Sequence, residues 1–384
     1  MNILFTDEQR LLAESLEQYA AGRYSFDQRR AVLASDEGYS PEAWHDFAEL
    51  GWLGLAVPEE DGGLGGSLAD VAVLMEGFGR MLALEPFVAT VLLGAGLLAE
   101  IGTPEQRAAY LPGVAEGTSK LAFGHSERQA RFDLADVRAE ARSGADGFVL
   151  DGHKCVVLGA PAANHLLVSA RTDGGPRDDD GVSLFIVPAD AEGLTMRGYP
   201  MQDGHRAADV TLENVAVGTS ALVGPAGEAL PAIRRVVQRA MIALAAEAVG
   251  AMEALNAMTF EYLRTRQQFG APIGSFQGLQ HRAVEMEMAH KISRAMVHRM
   301  ARAADANSEL LGQCAAAVKA EVGKSGKFVG QQAIQLHGGI GMTDEYAASH
   351  YFKRLTMIDI LFGNADHHLA EYARLSQETA ASSG

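Results

Sequence analysis

The chain is poor in cysteine and in basic residues. Cys155 and Cys314 are the two cysteines among 384 residues, and they form no C-x-x-C pair. This scarcity excludes a disulfide framework and a cysteine-based zinc site, and it favours a reducing compartment. The 32 basic residues stand against 49 acidic ones, for a formal net charge of −17. A charge of that sign argues against nucleic acid or anionic lipid as the main partner.

Long apolar runs and a basic leader are also missing. The longest apolar stretch, residues 87–99, contains two glycines and is shorter than a membrane-spanning helix. The opening MNILFTDEQR becomes acidic at once, unlike a secretory signal. With 48% hydrophobic and 21% charged residues, the composition is that of an ordinary folded chain. We therefore expect no membrane insertion and a cytoplasmic location.

Three segments of different character are present. Residues 1–120 carry helix start signals, namely capping boxes at Thr6–Gln9 and Thr103–Gln106 and a Ser40-Pro41 cap. Residues 121–225 contain short β-rich runs separated by turn sequences such as TDGGPRDDDG. Residues 226–384 are helical again. These segments predict a helical domain, a middle β domain and a C-terminal helical domain.

The architecture expected from these patterns is α+β. The β-rich runs GFVLDGHKCVVLG, HLLVSART, GVSLFIVP and ADVTLENVAV indicate a compact middle domain, a barrel or a sandwich. After it, an apolar period of 3.6 residues predicts four long helices that form a bundle. Their predicted bounds are 228–266, 276–305, 308–336 and 349–377.

A search for general catalytic and metal-binding motifs identifies no convincing site. Gly323-Lys-Ser325 resembles the end of a phosphate-binding loop, but the glycine required five residues earlier is Val318. Asp366, His367 and His368 could ligate a metal, yet adjacent side chains on a helix point about 100° apart. A solvated helix face is the favoured interpretation, and we predict no metal site.

Four ordered strings resemble the acyl-CoA dehydrogenase family. They are GWLGLAVPEEDGGLGG at 51–66, LDGHKCVVLG at 150–159, RTRQQFGAPIGSFQ at 264–277 and QLHGGIGMTDEY at 335–346. Within the family, HSERQARFDLADV and HYFKRLTMIDILFGNADHHL are most similar to the small subunit of pimeloyl-CoA dehydrogenase. The resemblance covers essentially the whole chain.

That resemblance implies a tetramer that holds FAD at a dimer interface and passes electrons to an acceptor flavoprotein. Such enzymes remove the α-proton and the β-hydride of an acyl-CoA thioester. In the family, an R-x-x-F-G motif and a Q-x-x-G-G motif contact the ADP half of the FAD bound to a neighbouring subunit. The matching residues here are Arg266, Phe269, Gln277, Gln335, Gly338 and Gly339. This donated half of the cofactor site is complete.

The half that would hold the chain's own flavin ring departs from the family pattern. Ser126 keeps a hydroxyl at the position of a threonine, but Phe132 replaces a serine that helps to seat substrate and flavin. Val156 stands where the family has a tryptophan packed against the flavin, and Leu158 replaces a threonine that hydrogen-bonds it. A lost polar partner typically costs about 1–3 kcal/mol for each buried group. In an alternative that stays open, another residue of the chain supplies the missing contacts to the flavin.

The catalytic base is also missing from both positions that supply it in the family. These positions hold Phe362 and Gln238, and neither side chain can accept the α-proton. Glu247, Asp359 and Asp366 are weak candidates for a relocated base. Glu247 is more simply interpreted as a packing or network carboxylate.

The sequence therefore predicts an FAD-dependent acyl-CoA dehydrogenase that acts as the small, base-less subunit of a heteromeric enzyme. Its partners would be the acyl-CoA substrate, a large subunit and the acceptor flavoprotein. Two alternatives stay open: a self-sufficient homotetrameric enzyme with an unusual base, and a flavin-free structural or acyl-CoA-binding homologue. The acyl chain of the substrate is not specified by any motif.

Overall fold

The computed structural model describes residues 5–144 and 146–382. The N-terminal part contains helices α1 to α6, with a π-helical segment at Val88–Ala95 leading into α5. Their bounds are Asp7–Arg23, Phe26–Leu33, Pro41–Glu49, Leu68–Met81, Gly96–Ile101 and Pro104–Ala115. The predicted start signals are confirmed. Thr6 and Thr103 each form a capping box, and the Ser40 side chain accepts a hydrogen bond from the amide of Ala43.

The middle of the chain forms one mixed sheet. Its strands β1 to β8 are Leu121–Gly124, Glu140–Ser143, Gly147–Leu158, His165–Arg171, Val182–Pro188, Leu194–Pro200, Arg206–Gly218 and Leu222–Val223. The order is β6-β7-β3-β2-β4-β5-β8, and β1 pairs in parallel with β4. Buried side chains such as Leu150, Val168 and Phe185 form its core. The compact β domain is confirmed, and the four predicted runs are β3, β4, β5 and β7.

The C-terminal part consists of five long helices. They are α7 Leu230–Thr265, α8 Gln277–Ala306, α9 Leu311–His337, α10 Ala347–Ile360 and α11 Ala365–Ser382. Strands β9 Gln267–Gln268 and β10 Ala271–Pro272 pair in the connection between α7 and α8.

The prediction of one helix over 349–377 is wrong, because the chain breaks between Ile360 and Ala365. Phe362 has a φ of 58° and Gly363 a φ of 114°, both outside the right-handed helical region. The Asp359 carboxylate then accepts a hydrogen bond from the Ala365 amide at 3.0 Å, which caps the start of α11. The apolar period continues through the break, which is why periodicity alone predicted a single helix. The dipeptide Gly363-Asn364 is a turn signal in the sequence at the position of the break.

Two compact units are present, each built from separate segments of the chain. The bundle unit comprises residues 1–31, 67–83 and 241–384. The sheet unit comprises residues 32–66 and 84–240. The long helix α7 begins in the sheet unit and continues in the bundle unit, so it belongs to both.

Helix α7 is long and apolar enough, by length and composition, to cross a membrane. It is longer than the apolar stretch at 87–99 that the sequence first suggested as the longest candidate. However, 78% of its most apolar 18-residue window is buried inside the structure. That burial is the behaviour of a core helix, whose apolar side chains pack against neighbours on all sides.

Candidate functional site

At one end of the bundle unit, aromatic contacts bring two of the predicted motifs together. The ring of Tyr262, near the end of α7, lies 4.7 Å from the ring of His337 at the end of α9. The Tyr346 hydroxyl lies 3.2 Å from Nε2 of His337. Arg266 follows Tyr262 by one helical turn, and Gly338 follows His337 directly. The two motifs therefore share this end of the unit.

The first of these motifs forms an exposed turn. The Ile273 amide donates to the Arg266 carbonyl at 2.8 Å and closes the β9–β10 connection. Arg266 and Gln277 are both exposed. Phe269 has a φ of 55°, and 93% of its surface is exposed. Its ring lies edge-on to the ring of Phe276, with 6.2 Å between the two ring centroids. An aromatic side chain held outward in this way is available to another surface.

The second motif presents bare backbone. Gly338 has a φ of 64°, and no atom lies within 4 Å of the place where a Cβ on Gly338 or Gly339 would be. Gln335 is exposed beside them. A guanidinium, an exposed aromatic ring and backbone without side chains suit the pyrophosphate and adenine of a dinucleotide. The residues expected to donate contacts to the ADP half of FAD therefore fit that group.

In the sheet unit, a buried ion pair anchors the loop that carries Ser126 and Phe132. Lys154 donates to Oε1 of Glu127 at 2.7 Å and to Oγ of Ser169 at 3.2 Å. Glu127 also accepts the backbone amide of Ala139 at 3.0 Å. Burial lowers the pKa of Lys154, although the Glu127 carboxylate opposes this shift. The loop is therefore rigidly anchored to β3.

The surface of this loop and of β3 is poor in groups for a flavin ring. A bulge after Lys154 places Val156 at a φ of 52°, with 42% of its surface exposed. Ser126 is exposed, and its carbonyl accepts the Cys155 amide at 2.8 Å. Phe132, Val156 and Leu158 offer only hydrocarbon side chains, which cannot hydrogen-bond a flavin edge. These positions do not fit the polar isoalloxazine.

Neither of the two expected base positions carries a proton acceptor. Phe362 lies half-buried in the turn between α10 and α11. Gln238 lies half-buried in the part of α7 that belongs to the sheet unit. The neighbouring Arg239 is already engaged, because its Nη1 lies 2.7 Å from Oε2 of Glu100.

The three weak base candidates have other partners or lie in solvent. Glu247 is buried and receives two hydrogen bonds from Arg354, Nε to Oε1 at 2.5 Å and Nη2 to Oε2 at 2.7 Å. This contact is of the kind expected for a network carboxylate. Asp359 caps α11, as described above, and Asp366 is exposed.

Two buried side chains that sequence reasoning missed hold the 361–364 turn. Lys319 of α9 donates to the carbonyls of Ile358 and Asp359 at the end of α10. Burial lowers the pKa of Lys319 to about 7. Nε2 of His368 lies 2.9 Å from the Phe362 carbonyl. Besides the Gly363-Asn364 turn signal, a lysine directly after the apolar residues 314–318 of α9 was the sequence signal of this arrangement.

The expectation that His367 and His368 share a solvated face is wrong for one of them. His367 is exposed, but His368 is buried beneath the turn, and burial lowers its pKa to about 4. Over residues 5–144 and 146–382, the structure contains no cluster of three His, Cys, Asp or Glu side chains that could hold a metal ion.

Three family models match the chain over most of its length. They describe the acyl-CoA dehydrogenase N-terminal domain at residues 6–118, the middle domain at 122–215 and the C-terminal domain at 230–376. The chain is 30% identical to a probable acyl-CoA dehydrogenase, YngJ, of Bacillus subtilis (strain 168), over 95% of this chain and 97% of the relative. It is 26% identical to acryloyl-CoA reductase (NADH) of Anaerotignum propionicum, over 97% and 95% of the two chains.

Among solved structures, the Tcur3481-Tcur3483 steroid ACAD G363A variant is similar in both fold and sequence. Its TM-score is 0.86 and its sequence identity 32%, with 98% of this chain and 99% of that chain covered. The fold, the ordered motifs and these matches agree over the whole length. The chain therefore belongs to the acyl-CoA dehydrogenase family.

Proposed function

We propose that this chain is the small, base-less subunit of a heteromeric acyl-CoA dehydrogenase and completes the FAD site of a partner subunit. The family establishes an oxidoreductase that uses FAD. The division of labour between two different subunits is our proposal. Its cytoplasmic location and an acceptor flavoprotein as its electron partner are expectations carried with it.

One observation carries this proposal, namely the contrast between the two half-sites. The half formed by Arg266, Phe269 and the Gly338-Gly339 backbone is complete and exposed on the bundle unit. The half on the sheet unit presents Phe132 where a hydroxyl is expected and Val156 where an aromatic ring is expected. A chain that served its own flavin would need both halves.

Bound FAD supplies the hydride acceptor of the reaction. The part of this chain is to bind and orient it: the Arg266 guanidinium neutralises pyrophosphate charge, and Phe269 offers an apolar face to the adenine. Because no carboxylate of this chain stands at an expected base position, proton abstraction falls to the partner. The glycines let the cofactor approach the backbone closely.

The substrate class rests on likeness alone. One similar structure, at 32% sequence identity, is of a steroid ACAD variant, and the sequence resembles pimeloyl-CoA dehydrogenase small subunits. We therefore propose that the substrate is a bulky or dicarboxylic acyl-CoA ester rather than a short straight-chain one. Turnover of a panel of CoA esters by the assembled complex would decide between them.

Flavin content tests the proposal directly. The chain purified alone should show little or no flavin absorbance, and coexpression with its large subunit should restore one FAD for each pair of subunits. Stoichiometric FAD in the isolated chain, with turnover of an acyl-CoA, would instead establish a self-sufficient enzyme. A flavin-free chain that binds acyl-CoA, and gains no flavin with any family partner, would establish the binding homologue.

A further inference from the structure

The segment that joins α9 to α10, residues 338–346, has an exposed outer side. Gly338, Gly339 and Ile340 are all exposed there, and the two glycines provide the backbone that fits the ADP half of FAD. Glycine backbone is costly to order, and ordering it at the moment of binding would weaken the binding. The segment therefore needs contacts on its inner side that hold it in place beforehand.

Two buried histidines supply such contacts, one near each end of the 338–346 segment. Nε2 of His337 lies 3.2 Å from the Tyr346 hydroxyl, and its Nδ1 lies 2.8 Å from the Ala333 carbonyl. Nε2 of His350, in the first turn of α10, lies 3.0 Å from the Asp344 carbonyl. The two histidines are 3% and 7% exposed, so both contacts are shielded from water.

The hydrogen bonds of His350 also fix its charge. Its Nδ1 lies 2.9 Å from Nη1 of Arg29, a residue of α2 that is 1% exposed. A guanidinium can only donate, so Nδ1 is the unprotonated acceptor, and the proton of the neutral ring is on Nε2, which donates to Asp344. A second proton on Nδ1 would remove the Arg29 hydrogen bond and place two cations in contact. This arrangement therefore requires a neutral imidazole.

Arg29 is in turn fixed to the end of α4. Its Nε donates to the Leu82 carbonyl at 2.9 Å, and Leu82 ends α4 with a φ of 54°. The ring of Phe26, also on α2, lies edge-on to the ring of His350, with 5.0 Å between the two centroids. A continuous run of hydrogen bonds thus leads from the end of α4, through α2 and α10, to the 338–346 segment.

The charged groups around His350 favour the neutral ring. Burial lowers the pKa of His350, and the charges of Arg29 and Lys353 lower it further. The carbonyl and the carboxylate of Asp344 oppose this shift without reversing it. That carboxylate is already engaged, because it accepts a hydrogen bond from Lys353 at 2.6 Å, and the charge of Arg30 also stabilises it.

We propose that His350 is a positioning residue for the FAD site: bonded to Arg29 as a neutral imidazole, it holds the 338–346 segment ready for the ADP half of the partner's cofactor, and it releases the segment in mild acid. This inference rests on the proposed function. Because His350 is buried beneath the segment, its effect on the cofactor passes through the Asp344 carbonyl.

The direction of the pH dependence follows from the neutral state. When the segment opens, water reaches the ring, and its pKa returns to about 6.5. Below that pH the open state binds a proton more readily than the closed one, so acid favours opening. Above it the ring is neutral in both states, and opening does not depend on its titration.

Three variants separate the contributions of His350. His350→Gln keeps an oxygen that can accept from Arg29 and an NH2 group that can donate, but it does not titrate. His350→Phe removes both hydrogen bonds and keeps a ring. His367→Gln is the matched control, because His367 is an exposed histidine of the same unit.

The first measurement is amide hydrogen exchange of residues 338–346 in the isolated chain at about pH 8 and about pH 5.5, corrected for intrinsic exchange. We expect protection in wild type and in His367→Gln to fall about tenfold at the lower pH. His350→Gln should lose most of that pH dependence. An equal fall in wild type and His350→Gln overturns the assigned titration.

The second measurement is FAD release from the assembled complex on dilution. At about pH 8, His350→Phe should raise the Kd for FAD at least about tenfold, and His350→Gln should stay within a few-fold of wild type. Acid should weaken FAD binding more in wild type than in His350→Gln. A His350→Phe complex that retains FAD as wild type does overturns the positioning role while the proposed function stands.

Folding is checked by circular dichroism and thermal unfolding. If His350→Phe does not fold, the comparison of wild type with His350→Gln across pH decides the proposal by itself. An isolated chain that binds its own FAD and turns over an acyl-CoA would overturn the proposed function alone, and hydrogen exchange of the 338–346 segment would still decide the role of His350.

Discussion

Arg354 holds Glu247 in a two-point ion pair inside the bundle unit, with both side chains 4% exposed. The two residues are 107 positions apart in the chain. Both carboxylate oxygens accept a guanidinium hydrogen bond, so Glu247 is held as the buried partner of a cation. Its role is to neutralise a buried cation.

Substituting Glu247 should therefore harm the fold rather than the chemistry. Glu247→Gln leaves Arg354 buried without its counter-charge, which typically costs about 3–5 kcal/mol in unfolding free energy. Urea unfolding of the isolated chain measures that loss. The double variant Glu247→Leu, Arg354→Met should recover much of the stability, because it removes both charges together.

For the assembled complex, Glu247→Gln should retain turnover within a few-fold of wild type at temperatures where it stays folded. Loss of turnover by 100-fold or more, with flavin content and assembly intact, is the effect expected from removing a general base. That result would restore Glu247 as a relocated base.

Asp359 and Asp366 should likewise be dispensable for catalysis. Asp359→Asn keeps an oxygen that can accept the Ala365 amide, so α11 should remain capped. Asp366→Asn changes an exposed side chain. Steady-state kinetics of each complex should give kcat within a few-fold of wild type. If either variant alone abolishes turnover without releasing FAD, the substituted aspartate is the catalytic base, and the chain is a self-sufficient enzyme.

Arg266→Ala should release flavin from the complex without unfolding the bundle unit. A lost charge-assisted hydrogen bond typically costs about 1.5–3 kcal/mol of binding free energy. FAD release on dilution, followed by fluorescence, measures the change. Arg264→Ala is the control, because Arg264 is also exposed, two residues away, and pairs only loosely with Glu261 at 3.4 Å. Equal flavin content in both variants would remove Arg266 from the site.

Lys319 should make stability rise with pH above neutrality. Its pKa falls from 10.5 in the unfolded chain to about 7 in the folded one, because burial disfavours the ammonium. Between these values the unfolded state binds more protons, so raising the pH favours folding, by up to about 1.4 kcal/mol for each pH unit. Below pH 7 the lysine is charged in both the folded and the unfolded state, so it contributes no further pH dependence to the free energy of unfolding.

The measurement is chemical unfolding at pH 7, 8 and 9 for wild type and for Lys319→Met. Subtracting the two curves cancels the other groups that titrate in this range. The difference should grow in favour of wild type as the pH increases. A difference that is flat with pH would mean that Lys319 keeps its charge and is stabilised by the α10 carbonyls as a cation.

Local sequence patterns were sufficient for the helix starts and for most of the order of elements. A capping box such as Thr6–Gln9 involves residues three positions apart, so its geometry is written in a short segment of chain. The same holds for the strands β3, β4, β5 and β7, whose apolar residues recur within each run. The shorter strands β1, β2, β6 and β8 were not separately visible, because four or fewer paired residues, or a largely exposed strand like β6, leave no clear pattern.

Tertiary structure alone decided what each functional position can do. The ordered motifs identified Arg266 and Gly338 as candidates, but only packing of Tyr262 on His337 brings them to one end of the bundle unit. The break at Phe362 depends on Lys319, Asp359 and His368, which come from three helices. His298 of α8 likewise takes its buried partner, Glu76, from a helix more than 200 residues earlier. Such choices depend on charges and hydrogen-bond partners distant in the chain, which a period of 3.6 residues cannot encode.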